Sequence, residues 1–171
     1  MPAAECRLRT GRPVLEATPG ATMSGRMVNE LHAGVEELGG KPSLGRSLRT
    51  ETDLRAAIRE GFPQTVVEAV MHAAGLSLKE LAASLDLSPR NLQRRRREGR
   101  LTPFESDRLY RLARVIGLAK HFVGDDEVAT RWLRRPNRAL GGNTPLQLID
   151  TEPGARTVEN VLGRIAHGGI S

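Results

Sequence analysis

From Thr50 onward the chain repeats one pattern, a capping residue followed by apolar residues at helical spacing. The stretch SLKELAASLDL opens with Ser77 and Glu80, the Ser-x-x-Glu spacing of a capping box, in which each side chain accepts a backbone N–H at the start of a helix. Leu78, Leu81 and Leu85 then fall three and four residues apart, which gives the helix one buried stripe. A chain built from such segments folds as helices packed on helices.

The same start signals recur before later segments of the chain. Ser88 precedes a proline, Thr102 precedes Pro-Phe-Glu, and Thr144 stands three residues before a glutamine. No segment alternates apolar and polar residues for long enough to predict a strand. Aromatic residues are only 3% of the chain, so the core must be aliphatic. We therefore predict an all-α fold of roughly seven to nine helices.

The overall composition bounds the class of protein and its partners. The net charge of +6 favours an anionic partner, nucleic acid first. A single cysteine, Cys6, excludes a disulfide within the chain and fits a reducing compartment. No run of apolar residues is long enough for a membrane span, and the N-terminus lacks the apolar core of a signal peptide. We expect a soluble, cytoplasmic protein with no membrane contact.

The stretch SPRNLQRRRREGR, residues 88–100, has two interpretations. A charge run of this kind is often the solvated face of an ordinary helix. Here, however, a capped apolar helix precedes it across a short turn, which is the layout of a helix-turn-helix motif. In that motif the second helix presents its N-terminal residues to the major groove of DNA. The candidate DNA-binding residues are Ser88, Arg90, Asn91, Gln93, Arg94 and Arg97.

Helix geometry limits which arginines of this run can meet DNA. Successive residues turn by about 100°, so four adjacent arginines point all round the helix. Arg90, Asn91 and Gln93 suit base edges, whereas Arg94 and Arg97 suit phosphates. Leu92 must face the core, and Arg96 shares its side. We expect Arg96 to lay its stem over apolar surface and to keep its charged head outside.

No pattern in the sequence indicates an enzyme. The four histidines are scattered, without the His-Glu-x-x-His pair or the cysteine cluster of a zinc site. Neither glycine-rich phosphate-binding motif is present. The acidic run at residues 125–127 is most simply the start of a helix. We expect no catalysis, no cofactor and no metal.

The C-terminal stretch carries the most specific signal in the chain. Residues 131–168, RWLRRPNRALGGNTPLQLIDTEPGARTVENVLGRIAHG, resemble the C-terminal toxin-binding domain of the Xre/MbcA/ParS antitoxin family. The upstream residues 88–115 are similar to the Xre-type half of the same family. Relatives often carry an apolar residue where this chain has Arg96. The resemblance covers about residues 48–171 and leaves the N-terminal tail outside.

The resemblance implies the antitoxin of a two-gene toxin–antitoxin module. Its partner would be a RES-domain toxin that consumes NAD or transfers its ADP-ribose. The antitoxin would occlude this toxin, repress the shared promoter through operator DNA, and associate as a homodimer within the complex. We expect three regions: a flexible N-terminal extension (1–49) with a short helix at 27–38, a helix-turn-helix domain (50–122) and a toxin-binding domain (123–171).

The candidate toxin-binding residues follow from the same resemblance: Trp132, Asn137, Leu140, Gly141, Gly142, Thr144, Pro145, Leu148, Arg156, Arg164, His167, Ile170 and Ser171. Two glycines permit backbone angles closed to other residues and a close approach by a partner. The short helix after them is either contact surface or a mere connector. Trp132 is either core or an interface anchor. The tail HGGIS is either a loose end or a segment that enters the toxin's NAD pocket.

Two other functions fit the same residues. One is a stand-alone helix-turn-helix transcriptional regulator whose C-terminal domain senses a ligand or forms dimers. The other is a purely structural helical interaction module. A neighbouring RES-like reading frame would favour the antitoxin, and salt-dependent binding to promoter DNA would exclude the structural module.

Overall fold

A computed structural model describes residues 23–166 and residue 168, with only the backbone for residues 23–29. The all-α prediction is confirmed: these residues form helices and contain no strand, apart from an isolated antiparallel bridge between Pro63 and Arg100. The helices are α1 (Met23–Glu37), α2 (Gly40–Leu44), α3 (Glu51–Glu60), α4 (Thr65–Ala73), α5 (Leu78–Ser84), α6 (Pro89–Glu98), α7 (Pro103–Val123), α8 (Asp126–Arg134), a 3-10 turn (Arg138–Leu140), α9 (Pro145–Leu148) and α10 (Glu152–Ala166).

Helix α2 lies where the sequence predicted a break, and it brings the helices of the described residues to ten. Gly39 and Gly45 flank it in the left-handed region, and Leu44 is buried. The glycines therefore delimit a single turn of helix instead of preventing one.

The predicted capping boxes form as expected. The Ser77 hydroxyl accepts the Glu80 N–H at 3.2 Å, while the Glu80 carboxylate accepts the Ser77 N–H at 2.8 Å. Thr102 and Glu105 make the same reciprocal pair at α7, and α9 begins with another. These bonds satisfy N–H groups that a helix start leaves without partners.

Helix α7 is the centre of the fold. It is 21 residues long, and α1, α3, α8 and α10 all pack against it. Its fully buried side chains include Leu109, Leu112 and Ile116. The apolar core runs without interruption from Leu31 in α1 to Leu162 in α10. Helices α8 and α10, which carry toxin-binding candidates, are therefore both held on α7.

Residues 30–49, which we expected to be part of a flexible extension, pack against the core instead. Leu31, Leu38, Leu44 and Leu48 are buried. The Lys120 ammonium donates to the Glu37 carboxylate at 2.9 Å and joins α1 to α7. The prediction of a flexible extension is therefore wrong for residues 30–49, and its part at residues 1–22 lies outside the described residues. No helix of the described residues is long and apolar enough to cross a membrane.

Candidate DNA-binding and toxin-binding surfaces

Helices α5 and α6 form a helix-turn-helix, and a side chain of α7 holds its turn in place. Leu81, Leu85 and Leu92 are fully buried between the two helices and the core. The Arg108 guanidinium donates to the Leu85 carbonyl at 2.5 Å and lies 3.3 Å from the Asp86 carboxylate. Packing therefore holds the inner side of α6, and Arg108 of α7 holds the turn that precedes it.

The predicted DNA-binding residues come together on the outer side of α6. Arg90, Gln93, Arg94 and Arg97 share one helix face, and all of them are exposed. Among the described residues, the side chains of Arg90, Gln93 and Arg97 have no hydrogen-bond or ion-pair partner, and Arg94 lies 3.6 Å from Glu98. Such a stripe of free donors can approach base edges and phosphates.

Two other predicted DNA-binding residues, Ser88 and Asn91, flank this stripe, and only the Ser88 side chain makes a hydrogen bond within the described chain. Asn91 is exposed, with its side chain free within the described chain. The Ser88 hydroxyl accepts the Asn91 N–H at 3.1 Å as the N-cap of α6. The Ser88 hydroxyl oxygen therefore already accepts one hydrogen bond within the motif.

The inner arginines of the run have structural roles. The Arg96 guanidinium stays at the surface, as expected, and pairs there with the exposed carboxylate of Glu68 of α4. Arg95 donates its Nε–H to both carboxylate oxygens of Glu105, at 3.0 and 2.9 Å. Arg100 donates to the Gly61 carbonyl at 2.6 Å. These long-range partners have no signal in the local sequence, so helix geometry alone missed them.

Glu105 is a buried acid that stays charged. Its side chain is only 7% exposed. Burial alone would raise the pKa of Glu105, but hydrogen bonds from Thr102 and the guanidinium of Arg95 outweigh this effect and hold its pKa below 4.5. One carboxylate thus caps α7 and anchors α6.

The loop between α8 and α9 is closed by its own hydrogen bonds. The Asn137 N–H donates to the Asn143 carbonyl at 3.0 Å, and the Gly142 N–H donates to the Asn137 carbonyl at 2.9 Å. Asn137 Oδ1 accepts the Ala139 N–H at 2.9 Å. Gly141 and Gly142 have φ of 66° and 84°, the left-handed region that the sequence predicted for them. The loop is therefore a preformed surface.

The structure places the toxin-binding candidates at different depths. Gly141, Gly142, Arg156 and Arg164 are exposed, and the half-buried ones are Trp132, Asn137, Thr144 and Leu148. Leu140 and Pro145 are buried. These last two belong to the core beneath the loop, so they support a contact surface instead of forming it. Trp132 packs against the core with one side. His167, Ile170 and Ser171 lie outside the described residues.

The first turn of α10 fits closely against the end of α9. A Cβ built on Gly154 would stand 1.9 Å from the Leu148 carbonyl oxygen, which no side chain could tolerate. The same turn is held to α7, where Arg111 Nε lies 3.1 Å from the Glu152 carboxylate. Two turns further along α10, Glu159 lies 2.7 Å from Arg114 of α7. The sequence likeness included Gly154, but the close approach that requires a glycine there appears only in the fold.

Helix α8 is in turn joined to the helix-turn-helix. Arg134 donates to the Gly75 carbonyl at 2.7 Å and lies 3.2 Å from the Glu80 carboxylate. No pattern in the sequence indicated these partners of Arg134. The DNA-binding and toxin-binding candidates are thus parts of one continuous body.

Three histidines that are far apart in sequence line one surface cleft, namely His32, His72 and His121. Glu37 and Lys120 lie in the same cleft and pair with each other. Within residues 23–166, however, no group of three or more His, Cys, Asp or Glu side chains is arranged to hold a metal ion.

Comparison with known proteins identifies both regions. Residues 118–168 match the family model of the antitoxin Xre/MbcA/ParS C-terminal toxin-binding domain, and residues 53–114 match that of the antitoxin Xre-like helix-turn-helix domain. These two matches cover the α5–α6 motif and the α8–α10 region separately.

Individual relatives agree with the family models. The chain is 37% identical over 120 residues to Antitoxin Xre of Photorhabdus laumondii, covering 69% of this chain and 81% of the relative. It is 36% identical over 122 residues to Antitoxin Xre of Yersinia enterocolitica, covering 70% and 82%. A more distant relative is the Prs ADP-ribosylating antitoxin of Sphingobium sp., 24% identical over 159 residues, covering 84% and 100%.

A solved structure has a similar fold. It is the crystal structure of the M. tuberculosis MbcT-MbcA toxin-antitoxin complex, of which one chain aligns with a TM-score of 0.50 at 25% sequence identity. The alignment covers 63% of this chain and 96% of that one. The matched domains, the identity to the Xre relatives and the helical architecture lead to one conclusion: the chain belongs to the Xre/MbcA/ParS family of antitoxins.

Proposed function

We propose that this antitoxin neutralises a cognate RES-domain toxin, one that consumes NAD or transfers ADP-ribose, by binding it directly through residues 123–171. The observation that carries the proposal is the match of residues 118–168 to a toxin-binding domain, together with the preformed loop at its surface. The MbcT-MbcA complex, whose chain shares this fold, is named a toxin–antitoxin complex, which supports a toxin partner. The Sphingobium relative is named Prs ADP-ribosylating antitoxin, which supports a connection with ADP-ribose chemistry.

The surface argument is one of preorganisation. The loop with Asn137, Gly141 and Gly142 is fixed by internal hydrogen bonds, so little conformational entropy is lost when a partner covers it. No atom lies within 4 Å of a Cβ built on Gly142, so a partner backbone has open access there. Leu140 and Pro145 hold the loop from below. The C-terminal residues 167–171 extend the same end of the chain and, in this proposal, reach into the toxin's NAD pocket.

The test of toxin binding uses the full chain and the product of the adjacent gene. Co-expression of a tagged antitoxin should yield a stable complex with a RES-like neighbour and should restore growth that the neighbour alone arrests. A neighbour that is harmless when expressed alone and does not co-purify would contradict the proposal.

We also propose that α6 reads the operator of the antitoxin's own operon, so that the protein represses its own synthesis. Arg90, Asn91 and Gln93 would contact base edges, and Arg94 and Arg97 would contact phosphates. The support is their common exposed face and the lack of partners within the described chain for most of these side chains. Two copies, one per operator half-site, would bind as a homodimer.

The second candidate function is a stand-alone transcriptional regulator. The exposed donors of α6 support this function as well as they support the antitoxin, since both would bind DNA through them. Two measurements distinguish the candidates. Operator binding without any toxin partner supports the regulator, whereas growth rescue by the full chain supports the antitoxin.

A further inference from the structure

Residues 128–149, which run from within α8 to just past the end of α9, have an unbalanced charge. They contain four arginines and no aspartate, glutamate or lysine. Two of these arginines are paired with acids outside the segment: Arg131 lies 2.8 Å from Glu127, and Arg134 lies 3.2 Å from Glu80.

The remaining two arginines, Arg135 and Arg138, have no such partner. Both residues are exposed, and within the described part of the chain neither guanidinium makes a hydrogen bond or an ion pair. We call this pair the basic rim, because it lies at the edge of the loop that the Asn137 bonds close. The rim is therefore two free cations on a rigid frame.

The backbone fixes where these cations stand. Arg135 is the C-cap residue of α8, and its N–H donates to the Trp132 carbonyl at 3.2 Å. Arg138 begins the 3-10 turn that the Asn137 side chain caps, and its carbonyl accepts the Gly141 N–H at 3.1 Å. The side chains can choose rotamers, but their attachment points cannot separate without breaking the loop.

We propose that the basic rim docks against an acidic patch of the toxin and determines how fast, and with which toxin, the complex forms. This inference rests on the proposed toxin-binding function of residues 123–171. An arginine offers a planar fork of donors that fits a carboxylate in bidentate fashion. Complementary charges at an interface rim chiefly raise the association rate and exclude partners of like charge. A matching toxin surface is therefore rich in aspartate and glutamate.

DNA is the less fitting occupant of the rim. The candidate phosphate contacts, Arg94 and Arg97, lie on α6 of the helix-turn-helix match, whereas Arg135 and Arg138 lie within the toxin-binding match. The experiment separates these two occupants, because operator affinity and toxin association are measured on the same variants.

The test is a double charge reversal, Arg135→Glu with Arg138→Glu, in the full chain. The matched control is Arg55→Glu with Arg59→Glu. These arginines of α3 are also exposed, their guanidinium groups make no hydrogen bond or ion pair within the described residues, and the control changes the net charge equally. Association rates with the purified toxin are measured at low and at high ionic strength. The rim variant should associate at least about 10-fold more slowly at low salt and lose most of its salt dependence, because electrostatic steering is lost.

Each outcome has a definite consequence. Rim and control variants with the same association rate would overturn the inference, and so would a rim variant that binds the toxin normally but loses operator binding. If the wild-type chain does not bind the toxin at all, the proposed function fails instead. Arg135→Ala with Arg138→Ala, which introduces no new charge, should shift the association rate in the same direction by a smaller factor. Circular dichroism of all variants checks that the helices remain.

Discussion

Arg95 and Glu105 form a bifurcated hydrogen bond in which Nε lies 3.0 and 2.9 Å from the two carboxylate oxygens, so that the middle of the arginine run is anchored to the first turn of α7. Arg96 pairs with Glu68 of α4 on the adjacent side of the helix. The run therefore combines two kinds of arginine. Those facing the core fix the orientation of α6, and those facing outward, Arg94 and Arg97, are the proposed phosphate contacts.

The first prediction concerns Glu105→Gln. The substitution removes a negative charge close to the proposed DNA surface, so simple electrostatics predicts tighter operator binding. We expect weaker binding, by about 5–30-fold, because the charge-assisted contact that orients α6 is lost. This factor corresponds to about 1–2 kcal/mol of binding free energy. The salt dependence of binding should not change, since no phosphate contact is removed.

Asp107→Asn is the matched control for that measurement. It removes one negative charge from the exposed side of the same helix, where Asp107 pairs with Arg111. Operator affinity, measured by fluorescence anisotropy, should stay the same or increase slightly. If Glu105→Gln binds DNA as well as this control does, Arg95 and Glu105 do not position the helix.

The second prediction separates the two surfaces. Arg90→Ala combined with Gln93→Ala should abolish operator binding, by about 100-fold or more, because each bidentate base contact contributes about 1–3 kcal/mol of discrimination. Neutralisation of the toxin should be intact. Gel shifts with operator DNA and growth rescue provide the two readouts. Loss of both activities would argue against separable surfaces.

The third prediction concerns the contact of α10 with α9. Gly154→Ala adds the better helix former, which by itself is favourable by up to about 1 kcal/mol. We nevertheless expect it to destabilise the protein by about 1–3 kcal/mol, because the new Cβ collides with the Leu148 carbonyl oxygen and forces α9 outward. Urea unfolding measures this loss. Asn160→Ala, at an exposed position of the same helix, should be neutral or stabilising.

The fourth prediction is a pH dependence at the start of α5. Hydrogen bonds from the Ser77 N–H and hydroxyl, with a smaller effect of Arg134, lower the pKa of Glu80 from 4.5 to about 2. Because the folded state has the lower pKa, the stabilisation is fully present above about pH 4.5 and is lost as the pH falls toward about 2. Wild type should therefore be more stable than Glu80→Gln near neutral pH, and the difference in unfolding free energy should vanish in acid. A difference that is independent of pH would contradict this account.

Local signals predicted much of the fold. Capping at Ser77, Ser88, Thr102 and Thr144 depends on residues three or fewer positions away, and each of these helix starts was located correctly. Burial of Leu92 followed in the same way from helical periodicity.

Partners distant in sequence were not predictable. Arg96 meets Glu68, 28 residues earlier, and Arg134 meets Glu80, 54 residues earlier, with no pattern in the sequence to indicate either pair. The packing of α1 on α7 and of α2 on α4 was missed for the same reason, since their leucines are informative only once those partner helices are in place. The burial of Leu140 and Pro145 likewise depends on the closed loop.

The most direct test of the central claim is the cellular NAD level. Cells that express the neighbouring RES-like gene alone should lose NAD and stop growing, and co-expression of the full antitoxin chain should restore both. The Arg90→Ala, Gln93→Ala variant should restore them equally well when it is supplied from an independent promoter. If NAD does not fall with the neighbour alone, or falls and is not restored by the antitoxin, the account of this chain as a direct neutraliser of an NAD-directed toxin is contradicted.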